Sequence, residues 1–201
     1  MKHCLDDIKS RGLVHDLTHA DKLSDTLSKS SLSFYCGFDP TADSLHVGSL
    51  LPLITMKRLA KAGHQPIALM GSATGMIGDP SGKSAERSLL GIDTIQRNVK
   101  SIEQQVLHIL QDCSSNLKIL RNDEWLGTIS YLDFLRDVGK HFSVNAMLAK
   151  DSVRSRLEDR DQGISYTEFS YMLLQAYDFY HLHQQHNCQL QIGGSDQWGN
   201  I

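Results

Sequence analysis

Three polar side chains fall on one stripe of a helix-forming segment. Tyr171, Gln175 and Asp178 stand at i, i+4 and i+7, which brings them to one face at 3.6 residues per turn. Leu174, Phe179 and Leu182 flank the stripe, so the segment is apolar nearly all round and reads as buried. A buried phenol, amide and carboxylate need hydrogen-bond partners. A small polar ligand would supply them. An internal polar network would serve equally, and periodicity does not choose between the two; the plainest alternative is a solvated face.

A second group lies where a strand runs into a turn. Tyr35, Cys36, Gly37, Asp39 and Thr41 sit at the carboxyl end of a strand, where open α/β sheets bind ligands. His46-Val47-Gly48-Ser49 opens the next helix. The free N–H groups of a helix start attract phosphate, and Gly48 lets a ligand approach the backbone. The plainer role for His46 and Ser49 is capping. Gly78-Asp79-Pro80-Ser81-Gly82-Lys83-Ser84 looks like a P-loop, but three residues separate Gly78 from Gly82 where that motif needs four. What remains is a loop whose Lys83 and Arg87 could close over phosphates, or a plain solvent loop. In Gln191-Ile192-Gly193-Gly194-Ser195-Asp196-Gln197-Trp198-Gly199-Asn200, a strand runs into glycines and a carboxylate. Asp196 is placed to accept from ribose hydroxyls, or to cap a following helix. His181, His183 and His186 lack an obvious carboxylate partner; an exposed polar helix end explains the run, and no metal site is expected.

The elements that must position these groups follow from patterning. Ser33–Phe38 is aromatic-rich and reads as a strand, and Asp39–Ser44 is turn chemistry. A helix follows, with Leu45, Leu51, Ile54 and Leu59 spaced for one buried face and Gly63 as its C-terminal stop. Pro52 conflicts with it locally and predicts a kink or a loose first turn. Pro66–Gly71 reads as a second buried strand, so strand, helix and strand imply a parallel sheet with a right-handed crossover. An amphipathic helix carries Ile95, Val99, Ile102, Val106 and Leu110 on one side. Lys118–Leu120 is a short strand and Tyr131–Val138 a helix. Asp151–Asp161 is charged and reads as solvated. Ser165 and Glu168 form a capping-box pattern opening a helix that runs to about His183, and Cys188–Ile192 alternates like a strand.

The chain has 201 residues, which suits one large domain or a domain and a half. Its 40% hydrophobic and 21% charged content is that of a soluble globular protein. A net charge of −3 argues against coating nucleic acid through bulk charge, but leaves room for a local RNA contact. Cys4, Cys36, Cys113 and Cys188 contain no Cys-x-x-Cys pair and read as reduced thiols. No apolar run reaches the ~18–20 residues of a membrane span. Met1–Ser10, with Asp6 and Asp7, resembles neither a secretory signal nor a transit peptide. The simplest compartment is the cytosol, and a processed mitochondrial matrix protein is also compatible.

Together these segments resemble the bacterial and mitochondrial-type tyrosyl-tRNA synthetases, from about Phe34 to Ile201. The similarity is carried by Tyr35-Cys36-Gly37-Phe38-Asp39-Pro40-Thr41-Ala42, the Gly78-to-Arg87 loop, Gly139-Lys140-His141-Phe142-Ser143-Val144-Asn145, Gln175-Ala176-Tyr177-Asp178 and the terminal Gly193–Asn200 run. The resemblance implies an α/β, Rossmann-like parallel sheet with flanking helices over residues 33–201, after an N-terminal helical segment at 1–32. It implies ATP-dependent activation of L-tyrosine to tyrosyl-adenylate and its transfer to tRNA(Tyr), with Mg²⁺ on the phosphates and a homodimer. By position, Tyr35 and Asp178 would bond the substrate phenol. Asp79, Tyr171 and Gln175 would hold the α-amino group, with Gln197 near the carboxylate. Cys36, Gly37, Gly48, Gly194 and Asp196 would meet the nucleotide, Cys36, Gly194 and Asp196 at its ribose, and Asp39 would lie near the nucleoside. Thr41, His46 and Ser49, with Lys83 and Arg87 from the loop, would act on the pyrophosphate side of the transition state.

Two departures stand out. The family's helix start usually reads His-Ile-Gly-His, whereas the fourth residue here is Ser49. The family's Lys-Met-Ser-Lys-Ser loop and anticodon-binding region lie beyond Ile201, so the resemblance implies that this stretch by itself activates tyrosine very poorly. Two other readings compete: a tryptophanyl-tRNA synthetase sharing the fold, and a non-catalytic nucleotide- or RNA-binding relative.

Overall fold

The computed structural model describes residues 4–81, 89–113, 115–158 and 163–201. Two short helices, α1 (Cys4–Ser10) and α2 (Ala20–Lys29), precede strand β1 (Ser33–Phe38). Helix α3 (Val47–Lys61), strand β2 (Gln65–Met70), helix α4 (Ile92–Ile109) and strand β3 (Lys118–Arg121) follow. Helices α5 (Asp123–Leu126), α6 (Tyr131–Asp137), α7 (Val144–Leu148) and α8 (Asp151–Glu158) lead to the long helix α9 (Tyr166–His186) and strand β4 (Cys188–Gln191). The sheet has the order β3-β2-β1-β4 with every pair parallel. In register, Ser33 stands opposite Gln65, Phe38 opposite Met70, and Tyr35 opposite Gln191.

A central parallel strand is covered on both faces, which is why β1 is apolar at almost every position. Its alternation sorts side chains between two cores. Phe34, Cys36 and Phe38, with Ala68 and Met70, face a core filled by Leu53, Met56 and Leu59 of α3 and by Ile95, Val99, Ile102 and Val106 of α4. Leu5, Ile8 and Leu27 of the N-terminal helices join that core. Tyr35, Ile67 and Leu69 face the opposite layer, built from Trp125 and from Leu182 of α9. The chain is thus a three-layer α/β fold, with α9 packed on the face to which Tyr35 points.

The face of α3 differs from the one its spacing predicts. Leu53, Met56 and Leu59 are buried, Leu51 is 56% exposed, and Leu45 precedes the helix. Leu50 to Ile54 is apolar at every position, so periodicity leaves the rotation open and sheet packing chooses it. The helix runs unbroken through Pro52, and its first turn is tight, with Ser49 N–H donating to His46 O at 2.9 Å. Gly63, at φ +99°, ends it: His64 N–H reaches back to Leu59 O at 3.1 Å.

The charged segment after Asp151 also departs from expectation. It is helical over Asp151–Glu158, but Val153 and Arg156 are buried. Arg156 forks onto Glu168 near the start of α9, both contacts 3.1 Å long. The charges that look like a solvated face in the sequence include one half of a buried ion pair. Ser165 caps α9 as expected, accepting from Glu168 N–H at 3.2 Å.

Candidate active site

A cleft of about 210 Å³ opens at the carboxyl ends of the strands, between the start of α3, helix α9 and the turn at 193–197. Its walls bring together Tyr35, Cys36, Gly37, Asp39, Thr41, His46, Gly48 and Ser49 from the first half of the chain. Asp79, Tyr171, Gln175, Asp178, Gly194, Asp196 and Gln197 line it from the second. Lys83 and Arg87 lie outside the described residues. His46 both lines the cleft and caps α3, its Nδ1 accepting from Gly48 N–H at 3.0 Å.

At the deep end, the Tyr35 hydroxyl is buried and has no hydrogen-bond partner. Leaving such a group unpaired costs roughly 1–3 kcal/mol, so its presence needs a reason. Burial, and then the nearby Asp178 charge, push its pKa well above that of an ordinary phenol, so it stays protonated and keeps a proton to donate. Asp178 is fixed on both oxygens: Trp125 Nε1–H donates to Oδ1 at 2.7 Å and Asn122 Nδ2–H to Oδ2 at 2.9 Å. Burial raises its pKa to about 7, against the lowering effect of those donors, with Asp39's charge adding to the rise. Ionised, this carboxylate only accepts; the Tyr35 hydroxyl stays protonated and has an unused proton to give. A hydroxyl placed between them would satisfy both, donating to one and accepting from the other.

Nearer the mouth, Tyr171 O–H donates to Asp39 Oδ2 at 2.8 Å and Thr74 O–H to Asp39 Oδ1 at 2.7 Å. Because the Tyr171 proton points at Asp39, its oxygen lone pairs remain for an incoming N–H donor. Asp79 accepts from Ser81 N–H at 2.9 Å, from Asn200 Nδ2 at 3.1 Å and from Gln197 Nε2 at 2.7 Å. Gln197 also donates to Asp196 at 3.0 Å. The Cys36 thiol is driven to about 12, chiefly by burial and then by the Asp196 charge. It is a neutral, weak donor and not a nucleophile.

Sequence reasoning missed Asn122, Trp125, Thr74 and the role of Asn200. Asn122 immediately follows β3, so the strand-end rule that singled out Tyr35 points to it too, whereas Trp125 stands within α5. The histidine run is engaged elsewhere: His181 stacks on Trp125 at 4.3 Å, and His183 Nδ1 contacts Cys188 O at 2.9 Å.

The family model described as tRNA synthetases class I (W and Y) matches residues 27–201. The chain belongs to this family. It is 58% identical to the Opitutus terrae protein named tyrosine–tRNA ligase, over 98% of this chain and 47% of that one. It is 56% identical to the protein of the same name from Chromobacterium violaceum, again over 98% and 47%. The chain therefore spans about half the length of the curated relatives it matches. Among solved structures, a C-terminally truncated mitochondrial tyrosyl-tRNA synthetase from Aspergillus nidulans superposes with a TM-score of 0.91 at 32% identity, covering 100% of this chain and 59% of that one. The tyrosyl-tRNA synthetase of Archaeoglobus fulgidus complexed with L-tyrosine shares the fold at TM-score 0.70 and 18% identity, over 92% and 53%.

This class I synthetase cleft is electrostatically one-sided. Asp39, Asp79, Asp178 and Asp196 face it, and among its described lining residues there is no lysine or arginine. That field suits an ammonium group. An anionic ligand would need countercharge from outside this set. Among the described residues, no helix is long and apolar enough to cross a membrane.

Proposed function

We propose that this chain forms the amino-acid- and ATP-binding part of a tyrosyl-tRNA synthetase, which converts L-tyrosine and ATP to tyrosyl-adenylate for transfer to tRNA(Tyr). The observation that carries this reading is the unpartnered, buried Tyr35 hydroxyl beside the ionisable Asp178. Together they offer one donor and one acceptor to a phenol at the closed end of the cleft. The names of the relatives support the same choice over tryptophan.

Each side chain then has a role. The substrate phenol donates to Asp178 and accepts from Tyr35. The ammonium group donates to Tyr171, Gln175 and Asp79, with Gln197 beside the carboxylate. Cys36, Gly194 and Asp196 meet the ribose, and Gly37 and Gly48 let the nucleotide approach the backbone. Asp39 orients Tyr171 from the nucleoside side. The tyrosine carboxylate attacks the α-phosphorus, the bond to the bridging oxygen breaks, and pyrophosphate leaves with the electron pair. Thr41, His46, Ser49 and the start of α3 stabilise the departing phosphates. Lys83 and Arg87 supply the cationic charge that the described lining lacks. Mg²⁺ would meet the same need: triphosphate oxygens would hold it, with the Asp196 carboxylate facing them, since both oxygens of Asp39 are engaged by Tyr171 and Thr74.

Calorimetric titration tests this directly. L-tyrosine should bind, and L-phenylalanine and L-tryptophan should bind about tenfold to a hundredfold more weakly, the value of a hydrogen bond to a charged group. A folded chain that ignores tyrosine, or prefers tryptophan, would sink the reading. Binding should also depend on pH. Asp178 must be ionised to accept the phenol, and its pKa is raised from the ordinary 3.8 to about 7. Affinity is therefore full above that value and lost as pH falls through it. Between about pH 8 and about pH 6 it should drop about tenfold for tyrosine and not for phenylalanine. A flat profile for tyrosine would contradict this role for Asp178.

The assembly we propose is a homodimer acting on tRNA(Tyr) in the cytoplasm, with the mitochondrial matrix compatible. Its support is a set of exposed apolar side chains on α6, α7 and the first turn of α9: Leu132 is 76% exposed, Tyr131 62%, Val144 57% and Tyr166 62%.

A further inference from the structure

The two ends of the cleft are joined by buried hydrogen bonds. Tyr171 and Thr74 both donate to Asp39; Asn122 Nδ2 donates to Thr74 Oγ at 3.0 Å and to Asp178 at 2.9 Å. Thr74, Asn122 and Asp178 are all nearly inaccessible to solvent. Asn122 is held in place by Ala73 N–H, which donates to its Oδ1 at 2.7 Å. The direction of the chain is fixed chemically. Asn122 has two amide protons, one for Thr74 and one for Asp178. Thr74 accepts from Asn122 and passes its own proton to Asp39. Each step uses the group's whole donor capacity at that position, so none can be lost without leaving a buried polar atom unpaired. The backbone makes room for the link. A Cβ on Gly71 would stand 1.9 Å from Asp39 Oδ1 and 2.5 Å from Thr74 Oγ, where the two side chains meet.

We propose that Thr74 is a positioning residue that couples Asp39 and Tyr171, at the ammonium end of the cleft, to Asp178 at the phenol end. Selection of the ring hydroxyl then depends on a side chain that touches neither the ring hydroxyl nor its two direct partners. This rests on the tyrosine reading above. The link acts through Asn122. If Thr74 loses its hydroxyl, one Asn122 proton faces a methyl group, the amide reorients to find another acceptor, and the Asp178 oxygen it aligned turns with it. Asp39 loses its second donor at the same moment.

The readout is the ratio of phenylalanine to tyrosine dissociation constants, measured by calorimetry on the wild type and variants. Thr74→Val should lower that ratio about tenfold, the value of one hydrogen bond. Thr74→Ser, which keeps the hydroxyl, should hold it within about twofold of wild type. A merely structural role would weaken both ligands alike and leave the ratio unchanged, and that result would overturn the coupling. Should Thr74→Val fail to fold by circular dichroism, Thr74→Ala carries the same expectation with less crowding. A folded wild type that does not distinguish the two amino acids is a different failure: it removes the phenol reading, and the coupling falls with it.

Discussion

Asp178→Asn should abolish measurable selectivity for tyrosine and weaken its binding by a hundredfold or more. The carboxylate is acceptor-only and already receives Trp125 Nε1–H and Asn122 Nδ2–H, one on each oxygen. An amide of the same shape has one oxygen. Its NH₂ must face one of those donors, or turn toward the phenol and meet a second proton there. Every orientation leaves a buried N–H against another. Losing a charge-assisted hydrogen bond costs roughly 1.5–3 kcal/mol, and a stranded donor adds about 1–3 kcal/mol. The sum, about 2.5–6 kcal/mol, reaches or exceeds the ~2.7 kcal/mol that corresponds to a hundredfold. Calorimetry with L-tyrosine measures the loss, and circular dichroism on the same sample separates it from unfolding. An Asp178→Asn variant that is folded and binds tyrosine within about fivefold of wild type would exclude Asp178 as the phenol acceptor.

The second large effect concerns stability. Arg156 and Glu168 are 3% and 1% exposed, and their forked pair joins α8 to the start of α9. Arg156 Nε–H also donates to Gly163 O at 3.0 Å, pinning the approach to the Ser165 cap. Arg156→Met removes the countercharge and strands the Glu168 carboxylate in the protein interior. That should cost about 3–5 kcal/mol, a large share of the roughly 5–15 kcal/mol that holds a domain together. Combining it with Glu168→Leu should recover most of the loss, because two apolar side chains carry no desolvation penalty. Urea denaturation midpoints of the single and double variants decide it. A single variant within about 1 kcal/mol of wild type would mean that water reaches the pair. The pair matters to the cleft because α9 displays Tyr171, Gln175 and Asp178 from its second turn onward. A frayed N-terminus would loosen Tyr171 first.

Much of the architecture was legible because local rules and tertiary packing agree. Ser33–Phe38 is apolar at almost every position, as a strand covered on both faces must be, and its turn chemistry begins where the sheet ends. The α4 stripe, the Ser165 cap and the Gly63 stop are short-range signals tied to backbone geometry, and each stands in the structure. The Tyr171, Gln175 and Asp178 stripe was visible because helical periodicity alone puts these residues on one side. Resemblance to the synthetases added names for the surrounding groups, and all those among the described residues line one cleft.

What the sequence left open is what depends on distance across the chain. In α3 the unbroken apolar run from Leu50 to Ile54 carries no phase, so only contact with the sheet selects Leu53, Met56 and Leu59 as its inner face. Arg156 and Glu168 are indistinguishable from surface charges until a fold brings them together in a dry place. Tyr35 and Asp178 are far apart in the chain and meet because β1 alternation points Tyr35 at the layer occupied by α9. By itself, then, the sequence determined the four strands and the longer helices, the parallel order of the first two strands and a set of candidate polar residues; it carried no sign of the short helices α5 and α7. The tertiary structure decided which of those residues are already paired with one another and which wait for a ligand. The reason is physical: propensity and periodicity act over a few residues, whereas desolvation and hydrogen-bond satisfaction are settled only by what lies across the core.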